Sequence, residues 1–233
     1  MSELPAEESF FDFKCPYCGE LNSFPAASAH TLQECASCGE SLVVPNSGAG
    51  TGGKLPLPMS TPRLVLRRFR PDDSVKLAEM VAQDETCTLP VTEANADQFI
   101  EQQRVARFTR SESGIYLAVE LAEGRELAGF VLMYYSDRNH DNAGFSLTII
   151  TPRSSQGLGF EVTRAALDFA FNGLCARRVS VSCPSKDAAA RRIAEKAGMR
   201  QEGEFIKSWF DGKEWANVSW YAVLKEERSP ASS

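Results

Sequence analysis

Two C-x2-C pairs, Cys15-Pro16-Tyr17-Cys18 and Cys35-Ala36-Ser37-Cys38, stand 16 residues apart, and each is followed by Gly-Glu. Thiols two residues apart can reach one ion, and glycine after the second permits the tight turn that aims backbone amides at sulfur. Four thiolates close a tetrahedral site and leave no open position for catalysis. The spacing therefore predicts a structural zinc held by Cys15, Cys18, Cys35 and Cys38. This constrains folding severely. A module of about 45 residues cannot bury enough apolar surface to fold unaided. Zinc binding of ~10–16 kcal/mol supplies the missing stability.

Over residues ~13–43 the pattern resembles a zinc ribbon, in a module spanning residues 1–44. Many ribbons bind nucleic acid, but the charge here argues against it. Residues 1–45 hold seven acids (Glu3, Glu7, Glu8, Asp12, Glu20, Glu34, Glu40) and one base, Lys14, which accounts for the whole net charge of −6. With the −2 of a four-thiolate zinc centre, this surface repels phosphate. Contact with a protein partner, or a purely structural role, is expected instead, with Phe10, Phe11 and Phe13 as docking groups. His30 lies between the knuckles and is superfluous as a ligand beside four cysteines.

The stretch PNSGAGTGGKLPLP, residues 45–58, reads as a flexible linker, because glycine and serine predominate and no periodic apolar face runs through it. Residues 228–233 read as a frayed tail. Between them strand and helix signals alternate. RLVLRRF (63–69) alternates apolar and basic, as a strand with one wet face. Pro71 opens PDDSVKLAEMVAQDE with acids in a first helical turn, and a second helix is expected within ANADQFIEQQRVARFTR. GIYLAVEL and ELAGFVLMYY read as paired strands, followed by AGFSLTII, a helix, the strand RRVSVSC, a helix closed by Gly198, and two final strands. The sum is a mixed sheet flanked by helices, α/β or α+β. No run approaches the ~18 apolar residues of a membrane span, and the acidic N-terminus lacks a signal-peptide pattern. A cytoplasmic protein with no membrane partner is expected. An odd count of seven cysteines agrees, with Cys87, Cys175 and Cys183 as small buried apolar residues.

In FSLTIITPRSSQGLGFEVTRAALDFAFNG (145–173), an apolar strand runs into a polar turn that ends in Gly157-Leu158-Gly159, and a helical pattern starts at once. The first four amides of a helix lack intrahelical partners, and the dipole places its positive end there. A glycine-rich approach lets an anion reach that backbone, which suits a phosphate or pyrophosphate. The dinucleotide fingerprint fails, because Val162 stands where its third glycine belongs, and no P-loop lysine follows. A plain turn with a helix cap would also satisfy the segment.

The order of elements and three motifs resemble the GNAT N-acetyltransferase superfamily over residues ~60–226, nearest the branch that acetylates ribosomal-protein N-termini and related amines. TPRLVLRRFRPDD looks like its opening strand and turn, PRSSQGLGFEVTRAALDFAF like its acetyl-CoA loop and helix, and SKDAAARRIAEKAGMRQEGEF like its second cofactor segment. The resemblance implies an α+β domain over residues 59–227 with a mixed, mostly antiparallel sheet flanked by helices. It also implies acetyl-CoA as cosubstrate. By it, the amides of Gln156, Gly157, Leu158, Gly159 and Phe160 hold the CoA pyrophosphate, and Ile149 and Ile150 line the pantetheine arm. Asp187 either accepts a hydrogen bond from the cofactor or caps its helix. Arg191 or Arg192 either meets the 3′-phosphate or lies in solvent. Three features depart from the pattern: Ser154 replaces a common Arg or Gln, Asp187 and Ala190 replace an Asn and a Ser, and Gly144 occupies the place of an acid on AGFSLTII.

The implied reaction is direct attack of a neutral primary amine on the thioester, with a backbone amide holding the oxyanion. Tyr221 either protonates the leaving thiolate or packs in the core. No carboxylate or histidine stands ready as a base, and His140 falls in a turn. An α-amine near pKa 8 is roughly one-tenth neutral at pH 7, whereas a lysine near 10.4 is neutral in about one molecule per few thousand. The expected acceptor is therefore a protein or peptide α-amine or another low-pKa amine. The alternative is a silent acyl-CoA-binding module that uses the ribbon for protein contact.

Overall fold

The computed structural model describes residues 9–45, 52–83, 87, 89–109, 114–137, 141–149, 157–210 and 212–228. Five short strands build the front module. β1 (Phe10–Lys14) and β2 (Leu21–Pro25) pair antiparallel. β3 (Leu32–Glu34), β4 (Ser41–Val43) and β5 (Gly53–Lys54) form a second antiparallel sheet in that order. Each C-x2-C pair occupies a hairpin turn, one between β1 and β2 and one between β3 and β4. Phe13, Leu42 and Val44 pack with Cys15 and Cys35 as the module's small core. Phe13 is thus interior rather than a docking group, while Phe10 is exposed and Phe11 half-buried.

The expected linker is partly ordered. Residues 46–51 lie outside the described residues, but Gly53 and Lys54 pair with Val43 and Leu42, and Leu55 and Leu57 pack against the larger core. Two leucines separated by one residue give this glycine- and proline-rich stretch an apolar side to bury. The module is also bound to the larger domain. Leu32, 5% exposed, belongs to the main core rather than its own, a burial of ~1.5–3 kcal/mol. Arg107 donates from Nε to the Gly39 carbonyl at 3.0 Å and pairs through Nη2 with Glu40 at 2.9 Å. Thr109 donates to the Glu34 carboxylate. The acidic surface that argues against nucleic acid therefore meets a cation of the same chain.

The larger domain follows as β6 (Met59–Ser60), β7 (Leu64–Arg67), α1 (Ser74–Gln83), α2 (Ala96–Val105), β8 (Ile115–Leu121), β9 (Leu127–Tyr135), β10 (Asn142–Ile149), α3 (Leu158–Asp168), β11 (Arg178–Pro184), α4 (Ala188–Lys196), β12 (Arg200–Phe210) and β13 (Trp215–Leu224). Eight strands form one sheet in the order β12-β13-β11-β10-β9-β8-β7-β6. Only β10 and β11 run parallel, because the α3 crossover joins them. This is the α+β fold expected, mostly antiparallel and flanked by helices. The two faces carry separate cores. One packs Leu117, Val131, Met133 and Phe145 against Leu158, Val162, Ala166 and Ala194 of α3 and α4. The other packs Phe130 and Ala118 against Leu77, Met80 and Ile100 of α1 and α2. Gly198 ends α4 at φ 87°, as expected of a left-handed cap. Among the described residues no helix is long and apolar enough to cross a membrane.

The expected wet face of RLVLRRF is corrected at Arg67, which is 5% exposed. Its guanidinium meets Asp73 at 2.7 and 2.8 Å and Glu120 at 2.7 Å, both buried. Two carboxylates, one from the PDD turn and one from β8, let a cation sit where alternation alone puts solvent.

Candidate active site and metal centre

The parallel pair β10–β11 holds for three rungs only: Asn142 to Arg178, Ala143 to Val179 and Gly144 to Ser180. Both strands continue. β10 stays paired with β9 as far as Ile149–Gly129, and β11 stays paired with β13 as far as Pro184–Val218. Beyond Gly144 the two strands therefore part, leaving a V-shaped notch in mid-sheet whose inner edges are unpaired among the described residues. Glycine at 129 permits the divergence. A Cβ there would lie 2.1 Å from the Thr148 carbonyl oxygen, which leans over β9. Gly129→Ala must push β10 back toward β11. We expect a loss of about 1–3 kcal/mol, read by thermal denaturation, together with weakened acetyl-CoA binding in calorimetry.

Helix α3 begins where β10 ends. Its N-cap, Gly157, sits in the left-handed region at φ 75°, a conformation glycine adopts without strain, and among the described residues no side chain caps the helix. The first amides are thus available to a ligand. Leu158 anchors the first turn in the core, and Phe160 lies half-buried under the Lys196 ammonium. A Cβ on Gly159 would come 3.0 Å from Ile193 Cδ1, so α3 lies close against α4. Ile150, Gln156 and Ser154 fall outside the described residues, as does His140. Ile149, half-buried against the core, ends the notch strand as expected.

Glu161 in the first turn would oppose an anion, but it is neutralised. It accepts from the Arg63 backbone N–H at 2.9 Å and from Arg63 Nε at 2.7 Å. Partial burial raises its pKa, yet the hydrogen bonds from Thr61 and Arg63 prevail and hold it below the usual carboxylate range. Arg63 Nη2 lies 4.0 Å from where a Gly157 Cβ would be. This cation at the mouth of the helix end is missing from the sequence expectations. Its signal was an arginine opening the first strand and an acid opening the helix, nearly one hundred residues apart.

Across the notch, Asp187 caps α4, accepting from Ala189 N at 3.0 Å and Ala190 N at 2.9 Å through one oxygen. Arg192 is exposed on α4, and Arg191 donates to the Tyr221 hydroxyl at 3.2 Å. Tyr221 is fully buried, with Glu195 and Gln201 also within hydrogen-bond reach at 3.2 and 3.4 Å. The phenol is engaged beneath α4, in the packed-core arrangement.

The sequence matches the family described as Acetyltransferase (GNAT) domain over residues 63–200. The chain belongs to this GNAT family. It is an acetyl-CoA-dependent N-acetyltransferase. The uncharacterized N-acetyltransferase YnaD of Bacillus subtilis (strain 168) is 25% identical over 175 residues, covering 72% of this chain and 98% of YnaD. A Vibrio cholerae structure, provisionally assigned as a ribosomal-protein-serine acetyltransferase, superposes with TM-score 0.58 at 20% identity, covering 73% of this chain and 99% of that one. A dodecameric spermidine N-acetyltransferase from Vibrio cholerae gives TM-score 0.60 at 18% identity, covering 72% and 96%. These two likenesses concern the fold alone.

The GNAT match begins after the cysteine module. There, Cys15 Sγ lies 3.8 Å from Cys38 Sγ, and Cys18 Sγ lies 3.7 Å from Cys35 Sγ, with all four sulfurs within 4.8 Å of one another. A tetrahedron with Zn–S bonds of ~2.3 Å has edges of ~3.8 Å, so the cluster fits a four-thiolate ion. Asn22 Nδ2 donates to Cys35 Sγ at 3.5 Å and its Oδ1 accepts from Ala36 N at 3.1 Å, which orients the second knuckle. Gly19 and Gly39 follow the two pairs at φ 82° and 70°, as the motif requires.

On the opposite face of the transferase sheet from α3 and α4, no acid stands at the notch apex among the described residues. Gly144 stands there, and the Tyr134 ring lies over it. Beyond β11 the same face carries Trp220, stacked edge-on with Phe205 at 5.8 Å, and Trp209, which shares a rung with Ala216.

Proposed function

We propose that the enzyme acetylates a primary amine of low pKa, foremost the α-amine of a protein or peptide. The observation that carries this is the apex of the notch, where a glycine replaces any carboxylate and a neutral phenol covers it. With no base at the apex among the described residues, the acceptor in this reading arrives already neutral. An α-amine does so in roughly one molecule in ten at pH 7, a lysine in about one per few thousand. The relatives' names diverge on substrate, one toward ribosomal protein and one toward spermidine. A polyamine carries several high-pKa cations and calls for acids around it. The aromatic surface of Phe205, Trp209 and Trp220 beside the notch favours an uncharged or apolar group next to the amine instead.

In this reading the amides of Gly157, Leu158, Gly159 and Phe160 hold the CoA pyrophosphate with Arg63 beside them. Asp187 and Arg192 face its nucleotide end, and unpaired backbone on β10 receives the oxyanion. The four cysteines hold zinc, which supplies structural cross-linking and no catalytic step. The ribbon offers a protein partner its outer face, where Phe10 and Leu21 are exposed. The compartment is the cytoplasm, where unpaired thiols stay reduced.

Thiol release from acetyl-CoA should be measured on matched peptides, one with a free α-amine and one N-blocked with a lysine. At pH 7 the free α-amine should react at least tenfold faster. Faster reaction at lysine would overturn the assignment. Acetyl-CoA binding without turnover on any acceptor would point to the silent acyl-CoA module.

A further inference from the structure

Tyr134 has a role that the sequence motifs do not assign. It pairs in register with Gly144, and Gly144 pairs with Ser180 in the last rung before the strands part. A side chain on residue 144 would have its Cβ 2.5 Å from Tyr134 Cζ and 2.6 Å from Tyr134 Oη. The phenol oxygen thus occupies the volume of the missing acid, at the apex of the notch. Its face is the one away from α3 and α4. The acyl donor is gripped from one side of the sheet, and the hydroxyl waits on the other. Among the described residues no hydrogen bond engages this hydroxyl. Those of Tyr135 and Tyr221, by contrast, are committed to Leu174 and to α4.

We propose that the Tyr134 hydroxyl stands in for the absent carboxylate, accepting a hydrogen bond from the attacking amine and holding its lone pair on the thioester carbonyl. This rests on reading the notch as an acyl-transfer site. Burial pushes the phenol pKa above its ordinary value, so the group is neutral at working pH. It accepts a hydrogen bond but does not take the proton. The nitrogen lone pair forms the N–C bond, and the C–S electron pair leaves on sulfur. The ammonium proton passes to water, and the thiolate takes one back from water. The phenol is unchanged at the end. The gain is one of orientation, which an aromatic ring fixed over glycine supplies without a charged group.

Tyr134→Phe keeps the ring and removes the oxygen. Thiol-release kinetics should show kcat/KM for the amine lowered roughly ten- to a hundredfold, as loss of orientation entails, with acetyl-CoA affinity by calorimetry and the melting temperature both held. The double variant Tyr134→Ala with Gly144→Glu places a carboxylate in the vacated volume. It should regain activity over Tyr134→Ala alone and begin to turn over at lower pH than wild type, because it now carries a base. A Tyr134→Phe enzyme within twofold of wild type overturns the proposal and leaves the transferase reading intact. So does one whose acetyl-CoA affinity falls in step with its rate, which marks a packing role. Wild-type enzyme that releases no thiol with any amine overturns the transferase reading, and this proposal with it.

Discussion

Cys35→Ser is expected to unfold the front module outright. Its interior consists of Phe13, Leu42 and Val44 around two of the cysteines, far too little apolar area to offset the entropy of ordering the chain. A four-thiolate zinc contributes ~10–16 kcal/mol, and a hydroxyl in place of one thiolate forfeits most of it. Elemental analysis should find one zinc per wild-type chain and none in the variant. Limited proteolysis should cut the variant within residues 9–45. The damage should also spread, because Leu32 leaves the main core and Arg107 loses Gly39 and Glu40. The melting transition of the transferase domain should fall as well. A chelator on wild type should reproduce both effects. A metal-free wild-type chain with a protease-resistant module would refute the assignment.

Arg67→Met should be the most damaging single change within the transferase domain. It leaves Asp73 and Glu120, 7% and 3% exposed, without the cation that bridges them. Removing one partner of a buried ion pair costs ~3–5 kcal/mol, because the survivors keep their desolvation penalty. For a domain of this size each kcal/mol lowers the melting temperature by ~2–4 °C. Arg70, 2.7 Å from Glu120, softens the loss at that carboxylate, so Asp73 should bear the greater part. Adding Asp73→Asn to Arg67→Met should therefore recover more stability than adding Glu120→Gln. Equal melting temperatures for wild type and Arg67→Met would show that the bridge contributes nothing.

What could be read in the sequence was whatever depends on near neighbours. The knuckles rest on spacings of two residues and on one glycine each. The opening of α3 rests on Gly157, and the close of α4 on Gly198, both in left-handed backbone. The features that escaped notice are partnerships between distant segments. Arg67 looked solvated because its acids stand six and 53 residues away. The ordered part of the linker depends on a strand ten residues back and on a core formed much later in the chain. Leu32 lies between the two cysteine pairs in sequence and belongs to the transferase core. Alternation places Tyr134 and Gly144 on one face. That the phenol fills the glycine's empty volume follows only from the register of β9 against β10.

The two margins of the eight-stranded sheet are unequal. At one end β6 offers only Met59 and Ser60. At the other, β12 exposes eleven residues with register breaks at Gln201/Gly203 and Phe205/Trp209. Fibrous growth by strand addition needs two usable margins on every copy. Among the described residues the transferase sheet has one long margin, so strand addition through that sheet stops at a pair of molecules.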